Sequence, residues 1–263
     1  MKKLAIISTI VMGLATVSCD SYLDINQNPN SPKEADLTAN VLMPAAEMNL
    51  FTTYGNLLRI PAGYFTQHYA QDFGTSNYLD YSQFTMSATR SSSAYMQIMS
   101  RSMKSVESIR SLSKDKEPGT YLAATVLRAF AFQTLVDAYG EVPFTEAFGG
   151  LSNQSPKYDD GKDIYAALLA ELDEALAKVS ASDKVATNFL YGGGDQGTAG
   201  EWIQFANALK LKLLMRESGV VDVTAKVSAL IAEDNFPSED VALADCWKNE
   251  VGQANPFYQE EFA

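Results

Sequence analysis

The chain has little of what most catalytic and metal-binding sites need, with one histidine and two cysteines in 263 residues. A zinc site of Cys and His ligands, or a His-dependent catalytic triad, would have to be built from almost nothing. Basic charge is scarce too, because 20 Lys and Arg stand against 32 Asp and Glu, a formal net charge of -12. Nucleic-acid binding requires a basic surface. We therefore expect no nucleic-acid partner, and we expect no metal, cofactor or catalytic residue.

The apolar run at the N-terminus is too short to span a membrane. It extends over 14 residues, from Leu4 to Val17, whereas a transmembrane helix needs ~20. Because two lysines precede the run, residues 1–18 are expected to be a signal peptide. A small residue followed by Cys19 at the end of such a run resembles the lipobox of bacterial lipoproteins. In those proteins the cysteine is acylated and becomes the first residue of the mature chain.

Lipidation at Cys19 would anchor the mature chain stably, because several acyl chains bind a membrane far more firmly than one. The segment that follows, residues 19–32, is polar and rich in turn-forming residues. We expect it to be a tether between the membrane and the folded domain. The alternative is cleavage at a nearby small residue and plain secretion.

Helical periodicity dominates the remainder of the chain. Apolar residues at three- and four-residue steps predict helices at about 37–53, 57–71, 92–112, 120–139, 162–180, 199–217 and 222–234. A two-residue alternation occurs only in short pieces, so little β-structure is expected. Helix pairs of this size are typical of tetratricopeptide-type solenoids. The sequence therefore predicts one all-α domain of helix pairs over residues 33–263.

A glycine-rich segment imitates a nucleotide-binding motif. Residues 192–197 satisfy the G-x-G-x-x-G spacing and precede a predicted helix. A dinucleotide site also needs a βαβ unit, and another helical segment follows where its second strand should be. We therefore interpret these residues as a loop. Thr198 and Glu201 have the spacing of a capping box at the start of the next helix.

Two other features could carry chemistry. His68 has Asp72 four residues later, an arrangement that could orient a general base, but no G-x-S-x-G nucleophile motif is present. A structural or surface role is expected for this histidine. Asp159 and Asp160 could offer oxygen ligands to calcium, but the EF-hand spacing is absent. We expect these acids to cap a helix instead.

The segment between residues 73 and 90 is polar, aromatic and without helical periodicity. Aromatic rings stack on the C–H faces of sugars, while amides and carboxylates bond sugar hydroxyls. We therefore predict a ligand site formed by Phe73, Asn77, Tyr78, Asp80, Tyr81 and Gln83. The alternative is that the tyrosines pack on the body of the protein. Loss of two lysines with the signal peptide lowers the net charge from -12 to -14, which favours a neutral ligand over an anionic polymer.

Five segments, in order along the chain, resemble those of a known family. They are Asp24–Asn30, Leu135–Ala147, Ile164–Ala177, Trp202–Leu211 and Asn255–Tyr258. The second ends in Tyr-Gly-Glu-Val-Pro-Phe-Thr-Glu-Ala, and the fourth reads Trp-Ile-Gln-Phe-Ala-Asn-Ala-Leu-Lys-Leu. Together with the lipobox, these segments resemble the SusD/RagB-like nutrient-binding outer-membrane lipoproteins of Bacteroidetes.

The resemblance implies a lipid-anchored protein at the surface of the outer membrane. Members of the family work with a SusC-like TonB-dependent transporter, capture an oligosaccharide or in some cases a peptide, and perform no catalysis. They are usually about twice as long, so the chain resembles their N-terminal half, and the domain is expected to be incomplete at its C-terminus. The alternatives are a peptide-binding RagB-like member, a helical scaffold that docks on the transporter without a ligand, and a secreted glycan hydrolase.

Overall fold

The computed structural model describes residues 36–72, 74, 76–191, 197–243, 246–250 and 253–261. The chain divides after Leu37, and the unit Thr38–Ala263 carries the features described below. The predictions for the signal peptide, Cys19, the tether, Phe73 and most of the glycine-rich segment lie outside the described residues.

The described part of the chain is built from α-helices joined by loops. In chain order they are α1 (Ala39–Thr53), α2 (Arg59–Phe65), α3 (Leu79–Ser82), α4 (Ser92–Met96), α5 (Lys104–Ser113), α6 (Pro118–Tyr139), α7 (Gly161–Leu176), α8 (Gly200–Glu217), α9 (Thr224–Ala232) and α10 (Pro256–Glu261). Two π-helical turns join consecutive helices, Tyr54–Leu58 between α1 and α2 and Gln97–Met103 between α4 and α5. No strand forms among the described residues, although two isolated β-bridges do. The prediction of an all-α fold with little β-structure is confirmed.

Helix α6 is the centre of the fold. Every residue from Gly119 to Leu135 is buried, as expected of a helix that is apolar on all sides. Helices α1, α5, α7 and α8 all pack against it. Pro118 opens the helix, a position where a missing N–H costs nothing. It ends at Gly140, whose φ of 77° few other residues adopt and whose N–H bonds the Val136 carbonyl.

A partly buried ion network ties α6 to two neighbouring helices. Arg128 on α6 forms ion pairs with Glu107 on α5 and, at 2.9 Å, with Glu171 on α7. Arg110 on α5 also reaches Glu171, at 3.2 Å. The Arg128 guanidinium lies over the ring of Phe144, 4.4 Å from its centroid. This network fixes the relative positions of α5, α6 and α7.

The predicted helix boundaries need two corrections. The helix predicted over 57–71 ends at Phe65, because Gln67 adopts a φ of 60° and the chain turns back so that the N–H groups of two later residues bond the Gly63 carbonyl. The segment predicted to be non-helical over 73–90 contains the single turn of α3.

The capping predictions have different outcomes for Thr198, Asp160 and Asp159. The capping box predicted at Thr198 is wrong, because α8 starts after Ala199 with no side-chain cap, while Thr198 forms a β-bridge with Lys184. Asp160 does cap α7 and accepts a hydrogen bond of 2.8 Å from the Lys162 N–H. Its neighbour Asp159 instead accepts backbone N–H groups from the loop after α6.

Candidate functional site

Three of the residues predicted to bind ligand are brought together in the loop around α3. Asn77, Asp80 and Gln83 line a shallow depression of about 430 Å³. Arg90, which the sequence analysis did not single out, closes one side. Its Nε lies 2.7 Å from Asp80 Oδ2, and its Nη2 donates to the Asn77 carbonyl at 3.0 Å. The depression is therefore polar and is held in shape by an arginine.

The two loop tyrosines belong to an aromatic cluster beneath this depression. Tyr81 is only 6% exposed, and its ring stacks on that of Tyr64 with centroids 6.1 Å apart. The Arg90 guanidinium lies 4.9 Å from the Tyr81 centroid. Tyr78 is partly buried, with its centroid 5.7 Å from that of Tyr64. This geometry agrees with the packing alternative for Tyr81, and ligand binding by the loop stays a prediction.

A larger cleft of about 920 Å³ lies between α2 with its preceding π-helical turn, the C-terminal end of α6, and α8. The first of these walls is aromatic: the rings of Tyr54, Phe65 and Tyr69 are between 39% and 44% exposed. The apolar periodicity over 57–71 gave no sign of this cleft, because the spacing of apolar residues does not tell which rings stay exposed.

The aromatic wall depends on an irregular stretch of helix. Pro61 has no N–H to donate to the carbonyl four residues earlier. The π-helical turn Tyr54–Leu58 ends directly before α2, the helix that contains Pro61. Such turns occur frequently at functional sites. Gly63 allows the Tyr69 ring to lie against the helix, because a Cβ at this glycine would be 2.2 Å from Tyr69 Cδ2. Arg59 Nη1 then donates to the Tyr69 hydroxyl at 3.0 Å.

The opposite wall is polar and centres on Asp137, near the end of α6. Its carboxylate accepts a hydrogen bond of 2.5 Å from the Tyr165 hydroxyl and another from Gln133 Nε2. Arg216 on α8 forms an ion pair with it at 2.8 Å. Burial and the neighbouring Asp137 raise the pKa of Tyr165, so this hydroxyl stays a donor at neutral pH. The side chains of Tyr165, Gln133 and Arg216 thus all contact the Asp137 carboxylate in this wall.

Two polar side chains in this wall, Gln133 and Lys212, are incompletely paired among the described residues. Gln133 is 1% exposed, and its Oε1 has no hydrogen-bond partner among the described residues. Lys212 on α8 is partly buried, and within the described part of the chain no carboxylate lies within ion-pairing distance of it. Burial lowers the pKa of Lys212, although Asp137 opposes the shift. Its Nζ lies 5.4 Å from the centroid of the Phe130 ring.

His68 and Asp159, the residues considered for chemistry, are both hydrogen-bonded to neighbouring residues. His68 is exposed at the cleft, and its Nδ1 lies 2.8 Å from Thr66 Oγ1. Burial would raise the pKa of Asp159, but hydrogen bonds from Thr145 and Phe144 outweigh it and lower the pKa. No group of three His, Cys, Asp or Glu in the described ranges is placed to hold a metal ion. Nor is any helix in these ranges both long and apolar enough to cross a membrane.

Residues 29–262 match the model of the SusD-like_2 family, which is described as starch-binding and associating with the outer membrane. No curated protein matches the chain. Among solved structures, a SusD-like protein of Bacteroidetes (AC2a) is 28% identical, with a TM-score of 0.62 over 77% of this chain and 38% of that one.

Two further structures show the same fold. A SusD/RagB family protein from Bacteroides thetaiotaomicron has a TM-score of 0.66 and 20% identity over 86% of this chain and 49% of that one. A chitin-binding SusD homologue from Flavobacterium johnsoniae has a TM-score of 0.58 and 19% identity over 73% of this chain and 43% of that one. The chain therefore spans less than half the length of these structures.

Proposed function

Because the chain belongs to the SusD-like family, whose fold is helix-rich and tetratricopeptide-like, we propose that it is a lipoprotein of the outer membrane that captures oligosaccharides as nutrients. The signal peptide, residues 1–18, is removed, and Cys19 is acylated and holds the protein at the cell surface. The tether of residues 19–32 separates the helical domain from the lipid. The protein performs no catalysis and takes no cofactor.

The observation that carries this proposal is the cleft of about 920 Å³, with exposed aromatic residues on one wall and polar side chains, among them Lys212, on the other. Sugar-binding sites combine apolar surfaces for the ring faces with a few well-placed polar groups for the hydroxyls. The loop depression adds a second polar surface. We propose Asn77, Asp80 and Gln83 as ligand-binding residues there, with the rings of Tyr78 and Tyr81 packed against each other in the same loop. Phe73, which lies outside the described residues, stays part of the proposed ligand site.

A SusC-like TonB-dependent transporter is the proposed partner, which would receive the captured ligand. The family description, with its association with the outer membrane, supports this pairing. A relative that binds chitin supports a polysaccharide-derived ligand. A peptide-binding, RagB-like member remains the alternative ligand class.

The test is to apply the mature, detergent-solubilised protein to a glycan array and to a peptide panel. Binding to oligosaccharides and not to peptides is the expected outcome, and binding to peptides alone would assign the RagB-like function. Release of new reducing ends from a bound polysaccharide would contradict the non-catalytic assignment.

A second candidate is a helical scaffold that docks on the transporter without a ligand. The packing of Tyr81 on Tyr64 favours it, because this packing withdraws one of the predicted ligand-binding rings from the surface. Binding to neither panel, together with co-purification of a SusC-like transporter with the protein, would establish this function instead.

A further inference from the structure

The large cleft has an excess of positive charge within an acidic chain. Three cationic side chains line it, Arg59, Lys212 and Arg216, whereas among the described residues its lining contains one carboxylate, that of Asp137. The chain as a whole has a formal net charge of -12. A local reversal of sign in a concave surface concentrates ligands of the opposite charge.

The one carboxylate does not neutralise this excess. Asp137 is already engaged by Arg216, by the Tyr165 hydroxyl and by Gln133 Nε2. Arg216 is thereby committed to Asp137. Lys212 is left as the cation of the polar wall without an ion-pair partner among the described residues.

A partly buried cation that no carboxylate contacts directly is costly, because burial removes water that would stabilise the charge. The Lys212 ammonium lies near the Phe130 ring, and burial lowers its pKa by more than the charge of the more distant Asp137 raises it. A ligand carboxylate would supply the missing counter-charge and would form charge-assisted hydrogen bonds with the ammonium.

The aromatic wall of the cleft is suited to an apolar face of the ligand. Tyr54 and Phe65 present rings that are 41% and 44% exposed, and such rings stack on the C–H face of a pyranose. A sugar that combines a carboxylate with an apolar ring face is a hexuronate. We infer that the cleft binds an oligosaccharide containing uronic acid, with the uronate carboxylate on Lys212.

This inference rests on the proposed oligosaccharide-binding function and names the ligand class for the cleft. It differs from the neutral ligand expected from the net charge. At physiological ionic strength charges act over ~8 Å, so a carboxylate seated in the cleft responds to Lys212 more than to distant surface acids.

The test uses the mature, full-length protein in detergent and a matched pair of probes. One probe is an oligogalacturonate of defined length, and the other is the same oligomer with its carboxylates methyl-esterified. Isothermal titration with the wild type should show at least tenfold tighter binding of the free acid, and that affinity should fall as salt is raised.

Two variants of α8 locate the site. Lys212→Met keeps the apolar stem and removes the charge, and should weaken oligogalacturonate binding at least tenfold. Lys210→Met removes a lysine from the same helix that is paired with Asp173 at 2.6 Å, and should bind as the wild type does.

Equal affinity for the two probes, or wild-type affinity in Lys212→Met, would overturn the inference. So would binding of neither probe. Whether the proposed function stands is read separately, from neutral oligosaccharides on the array: their binding, unaffected by Lys212→Met, would retain oligosaccharide capture while excluding a uronate site in this cleft. Binding of acidic peptides in place of oligogalacturonate would overturn both.

Discussion

Glu47 on α1 accepts a hydrogen bond of 2.6 Å from the backbone N–H of Phe189, which lies 142 residues later in the chain. The side chain is fully buried, and its Oε1 has no partner among the described residues. Burial raises the pKa of Glu47 to about 8, although hydrogen bonds from the backbone of Phe189 and Leu190 oppose the shift. The loop before α8 is thus attached to α1 through a carboxyl group that is protonated at neutral pH.

The stability of the protein should therefore decrease as pH rises from about 4.5 to about 8. In this range the folded state keeps the Glu47 proton and the unfolded state, with the ordinary pKa of 4.5, has lost it. The free energy of unfolding then falls by about 1.4 kcal/mol per pH unit from this group. Glu47→Gln removes the titration and keeps an acceptor for Phe189.

Urea unfolding of both proteins at pH 5, 6, 7 and 8 measures the effect. The variant should have a stability close to that of the wild type at pH 5 and should exceed it increasingly towards pH 8. Parallel pH profiles for the two proteins would show that Glu47 titrates normally in the folded state.

The ion network on α6 should be important for stability. Arg128→Met leaves Glu107 and Glu171 partly buried with only Arg110 to pair them. Removing one partner of a buried ion pair costs ~3–5 kcal/mol, and the partial exposure of the two acids places the expected loss at or below that range. Chemical denaturation measures it. Lys178→Met, which breaks an exposed pair with Glu174 at 2.6 Å, is the control and should change stability far less.

Much of the fold could be predicted because its signals are local. The spacing of apolar residues located α6, α7 and α8 to within a few residues, whereas the single helix predicted over 92–112 comprises α4, the π-helical turn and α5. A local pattern can still be satisfied in more than one way. Thr198 and Glu201 have capping-box spacing, but the Thr198 backbone is used in a bridge to Lys184.

The large cleft could not be predicted, because its walls come from segments that are distant in the sequence. Arg59, Asp137 and Lys212 lie on three different helices, and helical periodicity does not specify which helices become neighbours. The unsatisfied state of Gln133 Oε1 is likewise a property of the tertiary structure. In the loop, the sequence indicated Tyr81 as a candidate ligand-binding residue. Sequence alone does not distinguish a ring that faces a ligand from one that packs on Tyr64, as this ring does.

Cys19 should determine membrane association. If it carries the acyl chains, Cys19→Ala removes the anchor, and the protein should be released from the membrane fraction or should accumulate with its signal peptide uncleaved. Detergent phase partitioning, with the mass of the mature N-terminus, measures this outcome. A Cys19→Ala protein that partitions like the parent would mean that another part of the chain holds it to the membrane.

The loop depression should contribute to binding through its polar groups. Asn77→Ala combined with Gln83→Ala removes two ligand-facing amides, and at about 1 kcal/mol per hydrogen bond the affinity for an array-selected neutral oligosaccharide should fall at least tenfold. Tyr81→Phe should leave affinity unchanged, since its ring is buried. Titration of the three proteins decides the matter, and unchanged affinity in the double variant would exclude the loop as a binding surface.

Gly63 should determine the position of the Tyr69 ring on the cleft wall. An alanine at this position would place its Cβ 2.2 Å from Tyr69 Cδ2, so the ring must move away, and its hydroxyl would lose the 3.0 Å contact with Arg59. The helix itself should tolerate the change, because alanine is favoured over glycine in a helix by about 1 kcal/mol. Gly55→Ala is a matched control, since a Cβ there meets no atom within 4 Å.

Fluorine NMR of protein labelled with fluorotyrosine, with the Tyr69 resonance assigned from Tyr69→Phe, reports the ring directly. Gly63→Ala should shift or broaden that resonance while Gly55→Ala leaves it in place, and circular dichroism should show the same helix content in both variants. The affinity for a ligand bound in the cleft should fall in Gly63→Ala, because one of the three exposed rings has been displaced. A Tyr69 resonance unchanged by Gly63→Ala would mean that the ring does not lie against α2, and the aromatic wall would then consist of Tyr54 and Phe65.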